Sequence, residues 1–250
     1  MLNLLVLEMC VKPLMPLCNM RHRVLISPAD SKLIEGLSEH NIHSYYTQRL
    51  DDVPLMERYH ADMQVLRIDD TAFVAECFCN VYKNYFPAYV NVIPVKSPTG
   101  RYPDNVSLNA AYSGGRLFCK ESSLDDKVKS FCCKKGIEIT NVNQGYAKCS
   151  TLVLGNKGII TADAGIADAA RKQGVDALKI TPGFINLEGS DYGFIGGASG
   201  VIGETVIFFG NINLHPDKKD VLFFIKNKGY NYICVGDEPL NDVGGLILLD

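Results

Sequence analysis

The chain has 250 residues, with 25 Lys+Arg against 28 Asp+Glu, 47% hydrophobic and 21% charged residues. These are ordinary globular values that exclude a disordered, collagen-like or coiled-coil chain. A formal net charge of -3 sets up no long-range field, so neither nucleic acid nor an anionic membrane is expected as a partner.

In chain order, residues 1–11 are apolar, but Glu8, Pro13 and Pro16 break the run. It therefore resembles neither a secretory leader nor a membrane span. Regular patterning begins near Arg21, which predicts one domain over residues 20–250 and a poorly ordered extension over 1–19. A strand over 23–27, a helix over 28–40 and a strand over 42–47 follow. A hairpin over 63–76 turns at Asp69-Asp70; the next stretch, 77–86, has neither cap nor apolar stripe. The hairpin over 106–120 turns at Ser113-Gly114-Gly115 and leads to a helix capped by Ser123, striped by Leu124, Val128 and Phe131, and stopped by Gly136. The hairpin over 151–161 precedes a helix capped by Asp163 and stopped by Gly174. The hairpin over 198–209 precedes one that starts at Pro216 and stops at Gly229. Third strands follow at 137–140, 177–181 and 232–235.

These elements form a repeat. Unit openings at His60, Asp104, Lys148, Phe194 and Val243 recur at an interval of about 45 residues. Each unit reads ββαβ. The last has only its opening strand, residues 243–250, and the missing second strand, helix and third strand stand at the N-terminus. The predicted fold is therefore α/β: a five-bladed α/β propeller of ββαβ units with pseudo-five-fold symmetry, its last blade closed by the N-terminus. An open α/β sandwich would cross over after single strands and leave the split unit unexplained.

Such a ring resembles the pentein superfamily of guanidino-group-modifying proteins, closest to an uncharacterised bacterial branch, over the whole chain after Met20. The resemblance implies an axial pocket for a small guanidino or amidino compound and hydrolase or amidinotransferase chemistry. The superfamily also contains a non-catalytic ribosome-binding factor, so an interaction scaffold is the competing expectation. In the enzymes a Cys follows the Gly-rich opening of the final unit and a His opens an earlier one. Here the final opening, Asn241-Asp242-Val243-Gly244-Gly245-Leu246-Ile247, keeps the glycines without the Cys, and the fourth, Phe194-Ile195-Gly196-Gly197-Ala198-Ser199-Gly200, has no His.

In a closed ring the openings converge on one pocket, so the candidate site residues are sought there. Cys149 is the one cysteine in an opening, and the neighbouring Lys148 would favour its thiolate, making it a candidate displaced nucleophile. His60 is the candidate acid/base, and Asp62 or Asp104 the carboxylate for a guanidinium fork. Asn109, Lys148, Ser199 and Asp242 are expected to line the pocket with Asp104. The plainer alternatives are a buried hydrophobe for Cys149 and locally satisfied polar groups for the rest. The glycines at 196–200 lead to a strand rather than a helix, which argues against a nucleotide loop. His215-Pro216-Asp217 reads as a helix start, and Lys127, Lys129, Lys134 and Lys135 as a solvated face.

The nine cysteines lie scattered, which predicts reduced thiols and a cytoplasmic location. Neither Cys77 with Cys79 nor Cys132 with Cys133 has a matching second pair, so no metal and no cofactor is expected.

Overall fold

The computed structural model describes residues 22–28 and 31–250. The expected extension over 1–19 and the domain start at residue 20 lie outside the described residues. The chain begins with strand β1 (His22–Ile26), helix α1 (Ser31–Glu39) and strand β2 (Ile42–Tyr46). After a 3-10 turn (Leu55–Glu57) come a single helical turn α2 (Ala61–Gln64), the hairpin β3 (Val65–Ile68) and β4 (Thr71–Ala75), helix α3 (Glu76–Tyr82) and strand β5 (Asn91–Val95). The second unit holds β6 (Ala111–Ser113), β7 (Arg116–Cys119), α4 (Asp126–Lys135) and β8 (Glu138–Asn141). The third holds β9 (Thr151–Val153), β10 (Ile159–Thr161), α5 (Ala164–Lys172) and β11 (Ala177–Lys179). The fourth holds β12 (Ser199–Ile202), β13 (Thr205–Phe209), α6 (Lys218–Asn227) and β14 (Asn231–Val235), and the last strand is β15 (Leu246–Leu248).

These strands form five separate three-stranded sheets. In each, a hairpin-like antiparallel pair is extended by one parallel strand that returns after a helix. The split sheet follows the same rule although its strands come from opposite ends of the chain. β15 pairs antiparallel with β1, Leu246 opposite Ile26 and Ile247 opposite Leu25, and β1 pairs parallel with β2. Arg23 fastens the seam, donating through its backbone N and its Nε to the two carboxylate oxygens of Asp250, both at 3.0 Å. β15 lies against β3 and β12, β12 against β9, and β9 against β6. Leu25, Ile247 and Leu249 share an apolar cluster with Val65, Phe73 and Leu117, so first strands from different units are packed together. No helix among the described residues is long and apolar enough to cross a membrane.

The structure departs from the predicted elements mainly where units open. Residues 63 and 64, expected at the start of the hairpin, belong instead to the buried turn α2, with Asp62 N donating to Gly244 O at 3.2 Å. Residues 106–110 likewise leave the ladder: a 3-10 turn over Asp104–Val106 precedes them and β6 starts only at Ala111. The helix after β7 is capped by Asp125, whose side chain accepts from Lys127 N, while Ser123 ends a 3-10 turn ahead of it. Asp163 caps α5 as expected, accepting from Ile166 N at 2.8 Å. α6 starts at Lys218, two residues beyond Pro216, because Asp217 turns its carboxylate to Thr181 N. α3 forms without a side-chain cap, held by the buried faces of Phe78 and Tyr82.

Candidate functional site

Three unit openings meet in one buried cluster. α2 carries Asp62, 1% exposed, and begins directly after His60. Asn109 comes from the irregular stretch before β6. Lys148 and Cys149 come from the turn before β9, Cys149 being 3% exposed. Asn109 holds the arrangement: its Oδ1 accepts from Lys148 N at 2.8 Å and Cys149 N at 3.1 Å, and its Nδ2 donates to Cys149 Sγ at 3.0 Å. The Cys149 thiol donates to Asp62 Oδ2 at 3.0 Å, which leaves Asp62 Oδ1 buried with no partner. Donor atoms of His60, Asp62 and Cys149 all lie within 4.8 Å of one another.

The fifth opening closes over this cluster. Asp242 accepts from Phe194 N at 2.8 Å through Oδ2 and from Gly244 N at 3.0 Å through Oδ1, tying the fourth and fifth units together. A Cβ at position 197 would land on that carboxylate, and one at 244, where φ is +80°, would land on His60. Close backbone approach, rather than a phosphate loop, therefore explains these glycines. Lys148 Nζ reaches toward Gly196 O at 3.5 Å.

Electrostatically the centre is strained. The Asp62 carboxyl is pushed up to about 6: burial raises it most and Asp242 adds to that, against the lowering pull of His60, Lys148 and the Cys149 thiol. Burial raises Asp242 as well. The Cys149 thiol is pushed well above the usual cysteine value, first by burial and then by Asp62 and Asp242. These carboxylates outweigh the adjacent Lys148, so the expected thiolate-favouring environment is reversed: in this state Cys149 is a protonated donor.

A neighbouring group escaped the sequence reading. Glu57, buried in its 3-10 turn, accepts from Asn105 Nδ2 at 2.6 Å through one oxygen and from Tyr146 OH at 2.8 Å through the other. Burial raises its pKa, and Asp242 adds to the effect. Tyr146 stacks between Tyr102 and Phe194, with centroid distances of 5.7 and 6.4 Å, and Tyr192 meets Phe194 edge-on at 6.1 Å. No spacing rule would have found Glu57, because its neighbour Leu55 is the exposed residue of that turn.

Of the candidates read from the sequence, His60, Asp62, Asn109, Lys148, Cys149 and Asp242 come together. Asp104 does not: it is exposed and lines an outer cavity of about 450 Å³ with Lys96, Thr99 and Asp125. Its neighbour Asn105 is the inward residue, since successive residues of a 3-10 turn point in different directions. Ser199 is buried, but its hydroxyl is spent on Ile195 O at 2.5 Å.

The geometry can be set beside known proteins. No curated sequence matches the chain. Among solved structures it is similar to a dimethylarginine dimethylaminohydrolase adduct with S-methyl-L-thiocitrulline, at 13% identity and TM-score 0.52, covering 87% of this chain and 93% of that one. The DDAH from Pseudomonas aeruginosa complexed with citrulline is similar at 13% identity and TM-score 0.52, covering 87% and 92%. SxtG, an amidinotransferase from Microseira wollei in the saxitoxin biosynthetic pathway, is similar at 10% identity and TM-score 0.50, covering 89% and 82%. At these identities the likeness is one of fold. The chain has a pentein fold, and it belongs to the family of unknown function DUF6873, whose model it matches over residues 25–247.

Proposed function

We propose that the five units form a five-bladed propeller, a single domain from about residue 20, whose axis binds a small guanidino or amidino cation. The observation that carries this reading is the set of three buried carboxylates, Glu57, Asp62 and Asp242, each with its pKa raised by burial. Aromatic faces beside Glu57 suit a planar cation as well. A bound guanidinium would relieve the repulsion and supply donors to Asp62 Oδ1. The fold neighbours hold related compounds, the isothiourea S-methyl-L-thiocitrulline and the ureido compound citrulline.

Hydrolase or amidinotransferase chemistry would run through Cys149. Asp62, 3.0 Å from the sulfur, would take the thiol proton as sulfur attacks the amidino carbon, and His60 would hand a proton to the departing amine. Water or an acceptor amine, giving its proton back to His60, would then attack that carbon and break the carbon–sulfur bond, and the sulfur would recover its proton from Asp62. Seven free thiols among the described residues suit a reducing, cytoplasmic setting. The test is a thermal-shift and calorimetric screen of arginine, citrulline and simple amidines, since a ligand of the folded state raises its melting temperature. Saturable stabilisation by guanidino compounds, weakened at least about tenfold by Glu57→Gln or Asp242→Asn, is expected. No stabilisation across the panel would overturn the reading.

A second reading is a non-catalytic scaffold, favoured by the protonated, buried state of Cys149 and by the missing final-unit cysteine. Alkylation by iodoacetamide at neutral pH separates the two. Cys149 labelling faster than exposed Cys77 and Cys133, and protected by a guanidino ligand, would support turnover. Labelling only after unfolding would support the scaffold.

A further inference from the structure

The geometry points to a second capacity of the same centre: His60, Asp62 and Cys149 form a binding site for a borderline-soft divalent cation of the zinc class. One imidazole, one carboxylate and one thiol converge with donor atoms all within 4.8 Å of one another, and all three residues are buried. Ligands of a four-coordinate zinc ion stand roughly 3.5 Å apart, so a contraction of at most about 1.3 Å completes the set. The mixed nitrogen, oxygen and sulfur donors suit zinc or cobalt better than calcium or magnesium, which take oxygen ligands.

An independent observation points into the same space. Asp62 Oδ1 is buried without a hydrogen-bond partner, a costly condition that a metal bond would remove. The imidazole of His60 makes no hydrogen bond among the described residues, so at least one ring nitrogen is available to a metal. Asn109 supplies the outer layer, since its Nδ2 donates to Cys149 Sγ while its Oδ1 fixes the backbone of residues 148 and 149. Such second-layer bonds orient ligands and tune thiolate charge. Three protein ligands leave a fourth position open, as in sites where zinc holds water or a small ligand.

Binding would replace the sulfur–hydrogen bond of Cys149 by a sulfur–metal bond and release that proton to the buffer, one per ion bound. The hydrogen bond from thiol to Asp62 Oδ2 is lost in the exchange, and the carboxylate becomes a ligand. Zinc would then compete with any use of Cys149 as a nucleophile. Cys149 lies 87 residues from Asp62 in the chain, which is why the sequence spacing showed no zinc motif.

The test uses the full chain, stripped with chelator and desalted, titrated with zinc against a chromophoric chelator and separately with cobalt. One equivalent should bind. The cobalt complex should show a sulfur-to-metal charge-transfer band together with the intense visible bands of a tetrahedral site. Cys149→Ser should abolish the charge-transfer band, and His60→Gln should weaken zinc binding by at least about a hundredfold. Cys77→Ser and Cys133→Ser, at exposed thiols, should change neither. A cobalt spectrum of the unmodified chain without the sulfur band overturns the assignment, as does a band lost in Cys77→Ser or Cys133→Ser but kept in Cys149→Ser. The first readout needs no substitution, so it stands even if a variant fails to fold. The titration contains no guanidino compound, so it succeeds or fails independently of the ligand screen.

Discussion

Replacing Asp62 by Asn should make the protein relatively more stable as pH rises, because it removes a buried carboxylate that the fold must ionise at a cost. The folded-state pKa of about 6 lies above the ordinary 3.8. Below about pH 4 the group is protonated in both states and costs nothing. Between about pH 4 and 6 the unfolded chain gives up the proton first, so the parent loses stability as pH rises. Above about 6 the penalty is complete. A shift of about two units corresponds to about 3 kcal/mol. Asn keeps an acceptor for the Cys149 thiol, and any cost of its new amide is independent of pH, so the readout is the slope and not the absolute difference. With no tryptophan in the chain, urea unfolding would be followed by circular dichroism from pH 4 to 8, with chelator present. The difference in unfolding free energy, variant minus parent, should rise by about 3 kcal/mol over that range. A difference that stays constant, or falls, would refute the electrostatic account of the centre.

Other substitutions test the frame around it. Gly244→Ala places a side chain at φ +80° and against His60, and should cost at least about 2 kcal/mol in urea unfolding. Leu25→Ala, at a fully buried position of β1, should cost about 2–5 kcal/mol. Because Leu25 faces Ile247 across the split sheet, the double-mutant cycle with Ile247→Ala should show a coupling of at least about 0.5 kcal/mol, and strict additivity would contradict the pairing. Asn109→Ala strands the backbone N–H groups of Lys148 and Cys149, and should cost about 2–4 kcal/mol in the same assay.

Much of this fold is legible in the sequence because local signals and tertiary packing agree. The hairpin turning at Asp69-Asp70, the hairpin over 198–209, the helix capped by Asp163, and the stop at Gly136, which adopts φ +68°, each express a short-range preference that survives in the structure. The split sheet was legible from bookkeeping alone: an opening strand at one end and its missing companions at the other. The openings were not. Residues 63–64 and 106–110 read as strand, yet the backbone around the openings bonds to partners far along the chain: Asp62 N to Gly244 O, Lys148 N to the Asn109 side chain, Phe194 N to Asp242 and Gly197 N to Cys149 O. No local propensity encodes a bond whose other half lies in a different unit.

The same distinction explains which site residues could be named. Cys149, His60, Asp62 and Asp242 were found because position within a repeat predicts convergence, and convergence does not depend on the exact local conformation. Asp104 failed because orientation does depend on it: the 3-10 turn sends Asp104 outward and Asn105 inward. Glu57 was hidden by an inversion of the usual burial pattern, and its role is visible only through Asn105 and Tyr146. That inversion is physically informative. A chain selected for stability alone would gain by replacing Glu57, Asp62 or Asp242 with neutral residues of similar shape, since buried charge is costly. Here Asp242 raises the pKa of both of the others, and burial outweighs the lowering pull of Lys148 on Asp62 and Asp242. A centre left short of positive charge would be stabilised by an arriving cation, and proton release separates the two proposed here: a metal ion displaces the Cys149 proton, whereas a guanidinium pairs with the carboxylates and leaves the thiol intact.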